Sequence, residues 1–133
     1  MKKMSPVVHF EMPAKDLQRM ADFYQTIFGW KPNFLGAEMG NYVTVSTTDT
    51  DEHGRPKMAG AINGGFFPSN DNRVNLHPSI VIAVDNVAES IKSIIEKGGK
   101  VISDPTIIPG VGVYATFVDT EGNVLSILQP QMS

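Results

Sequence analysis

The sequence predicts an α+β fold built from two βαβββ modules, whose strands form a curved, mostly antiparallel sheet around a central cavity. The chain contains a strand–helix pattern twice. A shift of 70 residues aligns Ser79 with His9 and Gly99 with Gly29. Each copy contains an amphipathic helix. Strand-like segments separated by glycine or proline follow each helix. Because each copy leaves a sheet face that must be covered, two copies imply a shared interior.

The first module, at about residues 6–67, opens with a predicted strand at residues 8–13 and a predicted helix at residues 16–28. Asp16 can cap the free N–H groups at the start of this helix, and Gly29 suits the left-handed position at its end. Three strands are predicted after the helix, at residues 30–35, 42–47 and 58–67. The helix carries an apolar stripe at spacings of three, four and seven, formed by Leu17, Met20, Ala21, Tyr24, Ile27 and Phe28.

The second module, at about residues 79–130, repeats this order with a strand at residues 79–84 and a helix at residues 86–97. Asn86 and Glu89 form a plausible cap pair for the helix. Strands follow at residues 100–103, 113–118 and 123–129, and Gly122 predicts a hairpin turn between the last two. Residues 68–78 are polar and aperiodic, which indicates a linker between two modules of one domain spanning residues 1–133.

Composition excludes several classes of function. The 133 residues are 41% hydrophobic and carry a net charge of -3 without a Lys/Arg cluster, so we expect no nucleic-acid partner and no membrane partner. The chain has no cysteine, which excludes thiolate metal sites and cysteine nucleophiles. No signal peptide is expected, because no apolar run follows the two lysines near the N-terminus, and no membrane span is expected, because no apolar window approaches 18 residues. A cytoplasmic location is the default expectation.

The first strand presents the most informative polar pair. By strand alternation, Val8, Phe10 and Met12 share one face, while His9 and Glu11 share the other. The apolar face must meet the helix, so His9 and Glu11 are expected to point into the concave side of the sheet. A histidine and a glutamate placed in this way can form a metal pair, an acid–base pair or a hydrogen-bonded structural pair.

Four further polar residues are expected to line the same interior, namely Asn63, Ser79, Tyr114 and Ser126. Alternation turns Ser79 and Ser126 away from the second helix. Asn63 offers both a donor and an acceptor, and the glycines that follow it either admit a ligand close to the backbone or form a bulge. Tyr114 can present its hydroxyl group at the mouth of the cavity.

The sequence is similar to the vicinal-oxygen-chelate superfamily, which includes glyoxalase I, extradiol dioxygenases, fosfomycin-resistance enzymes and bleomycin-binding proteins. It is most similar to a glyoxalase-related subgroup of poorly characterised bacterial proteins. The segments that carry the resemblance cover nearly the whole chain, and they are Val8-His9-Phe10-Glu11-Met12-Pro13, Asp16-Leu17-Gln18-Arg19, Asp22-Phe23-Tyr24, Phe28-Gly29-Trp30, Ile62-Asn63-Gly64-Gly65, Val84-Asp85-Asn86-Val87, Pro109-Gly110-Val111-Gly112 and Asp119-Thr120-Glu121-Gly122-Asn123. The resemblance implies the fold more directly than it implies the reaction, because this fold supports many functions.

The resemblance also implies an incomplete metal site. Metal enzymes of the superfamily typically take ligands from the first and last strands of each module, and His9 matches the first of these positions. Ser79, Asn63 and Ser126 lie at or near the other three, whereas a transition-metal site needs three or more imidazole or carboxylate ligands. No cofactor is therefore predicted, and a divalent metal, if one binds, would be held by His9 and Glu11.

Three hypotheses about function follow from this resemblance. The first is a glyoxalase-like protein that binds a small molecule and, if it is catalytic, acts as a lyase or isomerase with His9 as general base and Glu11 orienting it. The second is a non-catalytic sequestering protein of the antibiotic-binding type. The third is a metal-dependent enzyme like lactoylglutathione lyase. The expected partners are a small-molecule ligand and, because superfamily members often pair modules across chains, a second copy in a homodimer.

Overall fold

Two units make up the chain, and each contains one helix and a set of strands. The computed structural model describes residues 3–69 and 77–131. The N-terminal unit comprises the described residues of His9–Pro78, and the C-terminal unit comprises those of Ser79–Ser133 together with those of Met1–Val8. The predicted α+β class is confirmed. Antiparallel strand pairs outnumber parallel pairs within the described part of each unit.

The N-terminal unit follows the predicted strand–helix–three-strand order. Its elements are β1 (Val7–Ala14, from His9 onward in this unit), α1 (Leu17–Phe28), β2 (Lys31–Phe34), β3 (Val43–Ser46) and β4 (Asn63–Pro68). The strands lie in the order β2-β3-β4-β1. The β1–β4 pair is parallel, and its register places His9 beside Asn63 and Glu11 beside Gly65.

Helix α1 begins and ends at the capping residues that the sequence predicts. The Asp16 carboxylate accepts a hydrogen bond from the backbone N–H of Arg19 at 3.0 Å, and Gly29 ends the helix with a φ of 74°. The apolar side of the helix packs on β1, β3 and β4. The buried members of this core are Ala21, Val43, Val45 and Phe66, and the partly buried members are Phe10, Met12, Leu17, Met20, Tyr24 and Trp30.

The described part of the C-terminal unit contains one strand more than that of the N-terminal unit. Its elements are β5 (Ser79–Ala83), α2 (Val87–Glu96), β6 (Lys100–Val101), β7 (Thr106–Ile108), β8 (Gly112–Val118) and β9 (Val124–Pro130). The strands lie in the order β5-β9-β8-β6, and β7 also pairs with β8. The core beneath α2 is formed by Val87, Ala115, Phe117 and Ile127, with Ile82, Val84, Ile91, Ile94, Val101, Val113 and Leu125 packed against it.

The structure departs from the predicted elements in two places. The third strand after α1 begins at Asn63 rather than residue 58, because Gly60 has a φ of 84° and the Ala61 N–H donates to the Met58 carbonyl in a turn. Strand β7 was not predicted, because Thr106–Ile108 is too short to show periodicity. Most of the predicted linker at residues 68–78 lies outside the described residues.

Candidate functional site

The two faces of β1 carry apolar and polar side chains, as the sequence predicts. Phe10 and Met12 pack into the core beneath α1, so the alternation of the strand turns His9 and Glu11 to the opposite face. Glu11 is 9% exposed and His9 is half-buried. A polar pair thus lies on the side of the N-terminal unit that faces away from its helix.

The hydroxyl group of Tyr42 joins these two side chains. It lies 2.9 Å from Nε2 of His9 and donates a hydrogen bond to Oε2 of Glu11 at 3.1 Å. His9 and Tyr42 also have nearly parallel rings, with centroids 6.5 Å apart. His9 and Glu11 therefore interact through a third residue, which the sequence reasoning missed.

A signal for Tyr42 is present in the sequence. Val43 and Val45 of β3 are buried in the core, so alternation places Tyr42 on the face of His9 and Glu11. Asn41 precedes it with a φ of 58°, two residues after a short 3-10 helix (Ala37–Met39). Applying alternation to β3 as well as β1 would have added Tyr42 to the candidate residues.

Gly65 makes room for the Tyr42 side chain. A Cβ atom at Gly65 would collide with the ring and hydroxyl group of Tyr42, and one at Gly64 would collide with the ring of Phe10. The two glycines thus accommodate aromatic side chains on opposite faces of β4, and the pairing of β4 with β1 runs through them without a bulge.

Burial sets the charge state of His9. Desolvation lowers the pKa of the imidazole below its ordinary value of 6.5, and the nearby Glu11 carboxylate opposes that shift. A lowered pKa favours the uncharged ring at pH 7. A neutral imidazole in a partly buried setting has the properties of a general base or a hydrogen-bond acceptor.

Asn63 lies beside His9 on β4, on the same face of the sheet. Its Oδ1 accepts a hydrogen bond from the backbone N–H of Thr47 at 2.9 Å, and the Thr47 hydroxyl donates to the Ile62 carbonyl at 2.7 Å. Because Oδ1 must face a donor, the side-chain NH₂ group of Asn63 is directed away from Thr47. That group can donate to a ligand oxygen.

The remaining predicted site residues lie in the C-terminal unit. The hydroxyl groups of Tyr114 and Ser126 are 2.7 Å apart, and that of Thr116 is 3.3 Å from Ser126. Ser79 donates to the backbone carbonyl of Val124 at 2.8 Å. Ser126 is 1% exposed and Ser79 is 6% exposed. The proposed role of Ser79, Tyr114 and Ser126 in ligand binding stays a prediction.

The metal ligands that the resemblance implies do not form a fitting set. Across residues 3–69 and 77–131, no group of three or more His, Asp or Glu side chains is placed to hold a metal ion. His9 and Glu11 supply two candidate donors, and both are hydrogen-bonded to Tyr42. A Zn, Ni or Fe site needs at least three such donors, so the described residues do not fit one.

A bilayer-spanning helix is also absent from this part of the chain, because neither α1 nor α2 is long and apolar enough.

Sequence comparison relates the chain to known proteins. The family model described as Glyoxalase/Bleomycin resistance protein/Dioxygenase superfamily matches residues 7–127. A glyoxylase-like domain-containing protein of Didymella fabae is 32% identical over 124 residues, which cover 88% of each chain. CFP32 of Mycobacterium tuberculosis (strain CDC 1551 / Oshkosh), named as a candidate glyoxylase, is 28% identical over 111 residues. That match covers 81% of this chain but 38% of CFP32, so the chain spans less than half of that relative.

Structural comparison supports the same fold. A crystal structure of methylmalonyl-CoA epimerase superposes with a TM-score of 0.69 at 14% identity, covering 99% of this chain and all of the epimerase. A methylmalonyl-CoA epimerase in complex with methylmalonyl-CoA and NH₄⁺ superposes with a TM-score of 0.66 at 17% identity, covering 95% of this chain and 94% of the other. At these identities the similarity concerns the fold.

Proposed function

Because the chain belongs to the Glyoxalase/Bleomycin resistance protein/Dioxygenase superfamily, we propose that it binds a small organic molecule and transfers a proton on it, as a glyoxalase-like isomerase or lyase. The observation that carries this proposal is the group formed by His9, Tyr42 and Glu11. These three side chains are hydrogen-bonded on the face of β1 away from the core, and burial lowers the pKa of the His9 imidazole.

The residues of this face suit proton abstraction from a carbon next to a carbonyl group. In that step the C–H bond breaks, an N–H bond forms on His9, and the electron pair moves onto the carbonyl oxygen. The NH₂ group of Asn63 can donate to this oxygen as negative charge develops on it. Return of a proton to the opposite face of this carbon re-forms the carbonyl group and completes an isomerisation, whereas return to the same face restores the substrate.

Glu11 has a supporting role in this chemistry. When His9 takes up a proton, its ring becomes a cation, and the negative charge of Glu11 raises the pKa of that imidazole. The carboxylate therefore stabilises the protonated ring. An acid–base role of the pair requires such stabilisation.

The proposal is tested by deuterium uptake from D₂O into ligand probes, followed by mass spectrometry. Methylmalonyl-CoA is the first probe, because a structure with the same fold contains it, and lactoylglutathione is the second. A thermal-shift screen of these two probes and of further carbonyl compounds precedes the exchange assay, since a ligand at about 100 times its Kd adds roughly 2.7 kcal/mol of stability.

We expect at least one probe to exchange hydrogen for deuterium, and His9→Gln to lower that rate about 100-fold or more. His53→Gln is the matched control, because His53 lies in an exposed loop beside Glu52. Exchange that survives in His9→Gln would contradict the assignment of His9 as base. Tight binding of a probe without any exchange would favour the sequestering alternative.

A further inference from the structure

The directions of the hydrogen bonds around Tyr42 determine which nitrogen of His9 carries the proton. A tyrosine hydroxyl has one hydrogen to donate, and a carboxylate can only accept. Tyr42 therefore donates to Oε2 of Glu11 at 3.1 Å. Its oxygen, 2.9 Å from Nε2 of His9, must then accept a hydrogen bond, so Nε2 is the protonated nitrogen of the neutral ring.

This tautomer leaves the lone pair of His9 on Nδ1. Within the described residues, Nδ1 makes no hydrogen bond, whereas no buried side-chain nitrogen or oxygen lacks a partner. Nδ1 is therefore not fully enclosed, and it is the ring nitrogen left available to a ligand. Nε2, by contrast, holds its hydrogen toward Tyr42 and has no lone pair for a metal ion.

We propose that Tyr42 is a positioning residue that holds His9 as the Nε2–H tautomer, so that Nδ1 is the atom that receives a hydrogen bond or a proton from the ligand. This inference rests on the proposed function for the identity of the site, and it adds the reacting atom. It also defines the ligand class as molecules that direct a hydroxyl, amide or activated C–H hydrogen at Nδ1.

The same arrangement prepares the site for the protonated ring. When Nδ1 gains a proton from the ligand, Nε2 keeps its hydrogen and continues to donate to Tyr42, and Tyr42 continues to donate to Glu11. No other proton has to move. The new positive charge lies on the His9 ring, which is linked through Tyr42 to the carboxylate of Glu11. Because these hydrogen bonds are already in place before the reaction, less free energy is needed to form the positive charge on His9.

Long-range proton–nitrogen NMR of nitrogen-15-labelled protein tests the inference without a ligand, at a pH where His9 is neutral. His9→Gln identifies the signals of His9 among the three histidines. We expect a single Nε2–H tautomer, an Nε2–H resonance protected from solvent exchange, and a nuclear Overhauser effect from this hydrogen to the Tyr42 ring. A proton on Nδ1, or an even mixture of tautomers, in the wild-type protein would overturn the inference.

Tyr42→Phe should lose the protected resonance and shift the ring toward a mixture of tautomers. Tyr24→Phe is the matched control, since Tyr24 lies in the core with its ring stacked on Trp30 at 4.7 Å, and it should keep the wild-type pattern. A protected Nε2–H resonance that persists in folded Tyr42→Phe would refute the role of Tyr42. If Tyr42→Phe does not fold, the wild-type spectrum alone still decides the tautomer.

The NMR result and the exchange assay can fail separately. The expected tautomer with no deuterium uptake into any probe would remove the proposed function and leave the hydrogen-bond assignment intact. Deuterium uptake that depends on His9, together with a proton on Nδ1, would keep the function and overturn the choice of reacting atom.

Discussion

Tyr42 accounts for two features of this chain that look unrelated in the sequence. Its hydroxyl group is hydrogen-bonded to the imidazole of His9 and to the carboxylate of Glu11. Its ring also occupies the space that a side chain at Gly65 would fill. The glycine pair of β4 is thus explained by packing rather than by backbone flexibility, because neither Gly64 nor Gly65 has a positive φ.

Gly65→Ala should displace Tyr42 and break its hydrogen bonds to His9 and Glu11. The added methyl group collides with the Tyr42 ring, and overpacking of this kind costs about 1–3 kcal/mol of unfolding free energy. Gly64→Ala is the matched control, because it collides with Phe10 on the other face and should cost a similar amount. Urea unfolding measures both costs.

NMR of His9 separates the two variants. The protected Nε2–H resonance should disappear in Gly65→Ala and remain in Gly64→Ala. A Gly65→Ala protein with wild-type stability and an unchanged His9 signal would show that Tyr42 does not depend on the absence of a side chain at position 65.

The elements of the fold are delimited by short-range polar contacts. Asp16 caps α1 and Asn86 caps α2, each by accepting from the backbone N–H three residues on. The β8–β9 hairpin is closed by Asp119, whose Oδ1 accepts from the N–H groups of Glu121 and Asn123. Its Oδ2 accepts from the Asn123 side chain at 2.9 Å. These contacts explain why the predicted starts of both helices and the predicted β8–β9 turn agree with the structure.

Asp119→Ala should lower the Tm at neutral pH, because the turn loses three hydrogen bonds. The side-chain and backbone donors of Asn123, followed by the Glu121 N–H, hold the pKa of the Asp119 carboxyl below its ordinary value of 3.8. A lowered folded-state pKa stabilises the fold above the unfolded-state pKa, and this contribution is lost as pH falls through the folded-state value. The Tm difference between the variant and the wild type should therefore shrink at strongly acidic pH.

Glu121→Ala is the control in the same turn, because only the backbone of Glu121 takes part in the hydrogen bonds described for the hairpin. Thermal unfolding by circular dichroism across a pH series measures both variants. An Asp119→Ala deficit that is independent of pH would contradict the charge-assisted explanation.

At the scale of the whole molecule, each unit carries its own polar cluster on the face opposite its helix. The N-terminal cluster contains an imidazole, a carboxylate and a phenol, whereas the C-terminal cluster described above consists of hydroxyl groups. The acid–base chemistry proposed here therefore belongs to the N-terminal unit.

We expect a homodimer in solution, as the resemblance to the superfamily implies. Size-exclusion chromatography with light scattering should give twice the 14.5 kDa of the single chain across a dilution series. A single-chain mass at every concentration would contradict the expectation, and it would leave the His9–Tyr42–Glu11 group unaffected, because all three residues belong to one unit of one chain.

Local rules were sufficient for the helices, the caps, the β8–β9 hairpin and the face of β1 that carries His9 and Glu11. These features depend on residues within a few positions of one another, where spacing and turn chemistry act directly. The extra strand β7 was not predicted, because a three-residue segment is too short to show a period. The structure identifies it as a strand by its pairing with β8.

The connection between His9 and Glu11 required the folded chain. Tyr42 lies 33 residues from His9 and 31 from Glu11, and it reaches them because β3 pairs with β4 and β4 pairs with β1. Residue order predicted that an imidazole and a carboxylate share a face. Strand register and the missing side chain at Gly65 determined that a phenol joins them, because hydrogen-bond geometry between distant segments is set by packing in three dimensions rather than by neighbours along the chain.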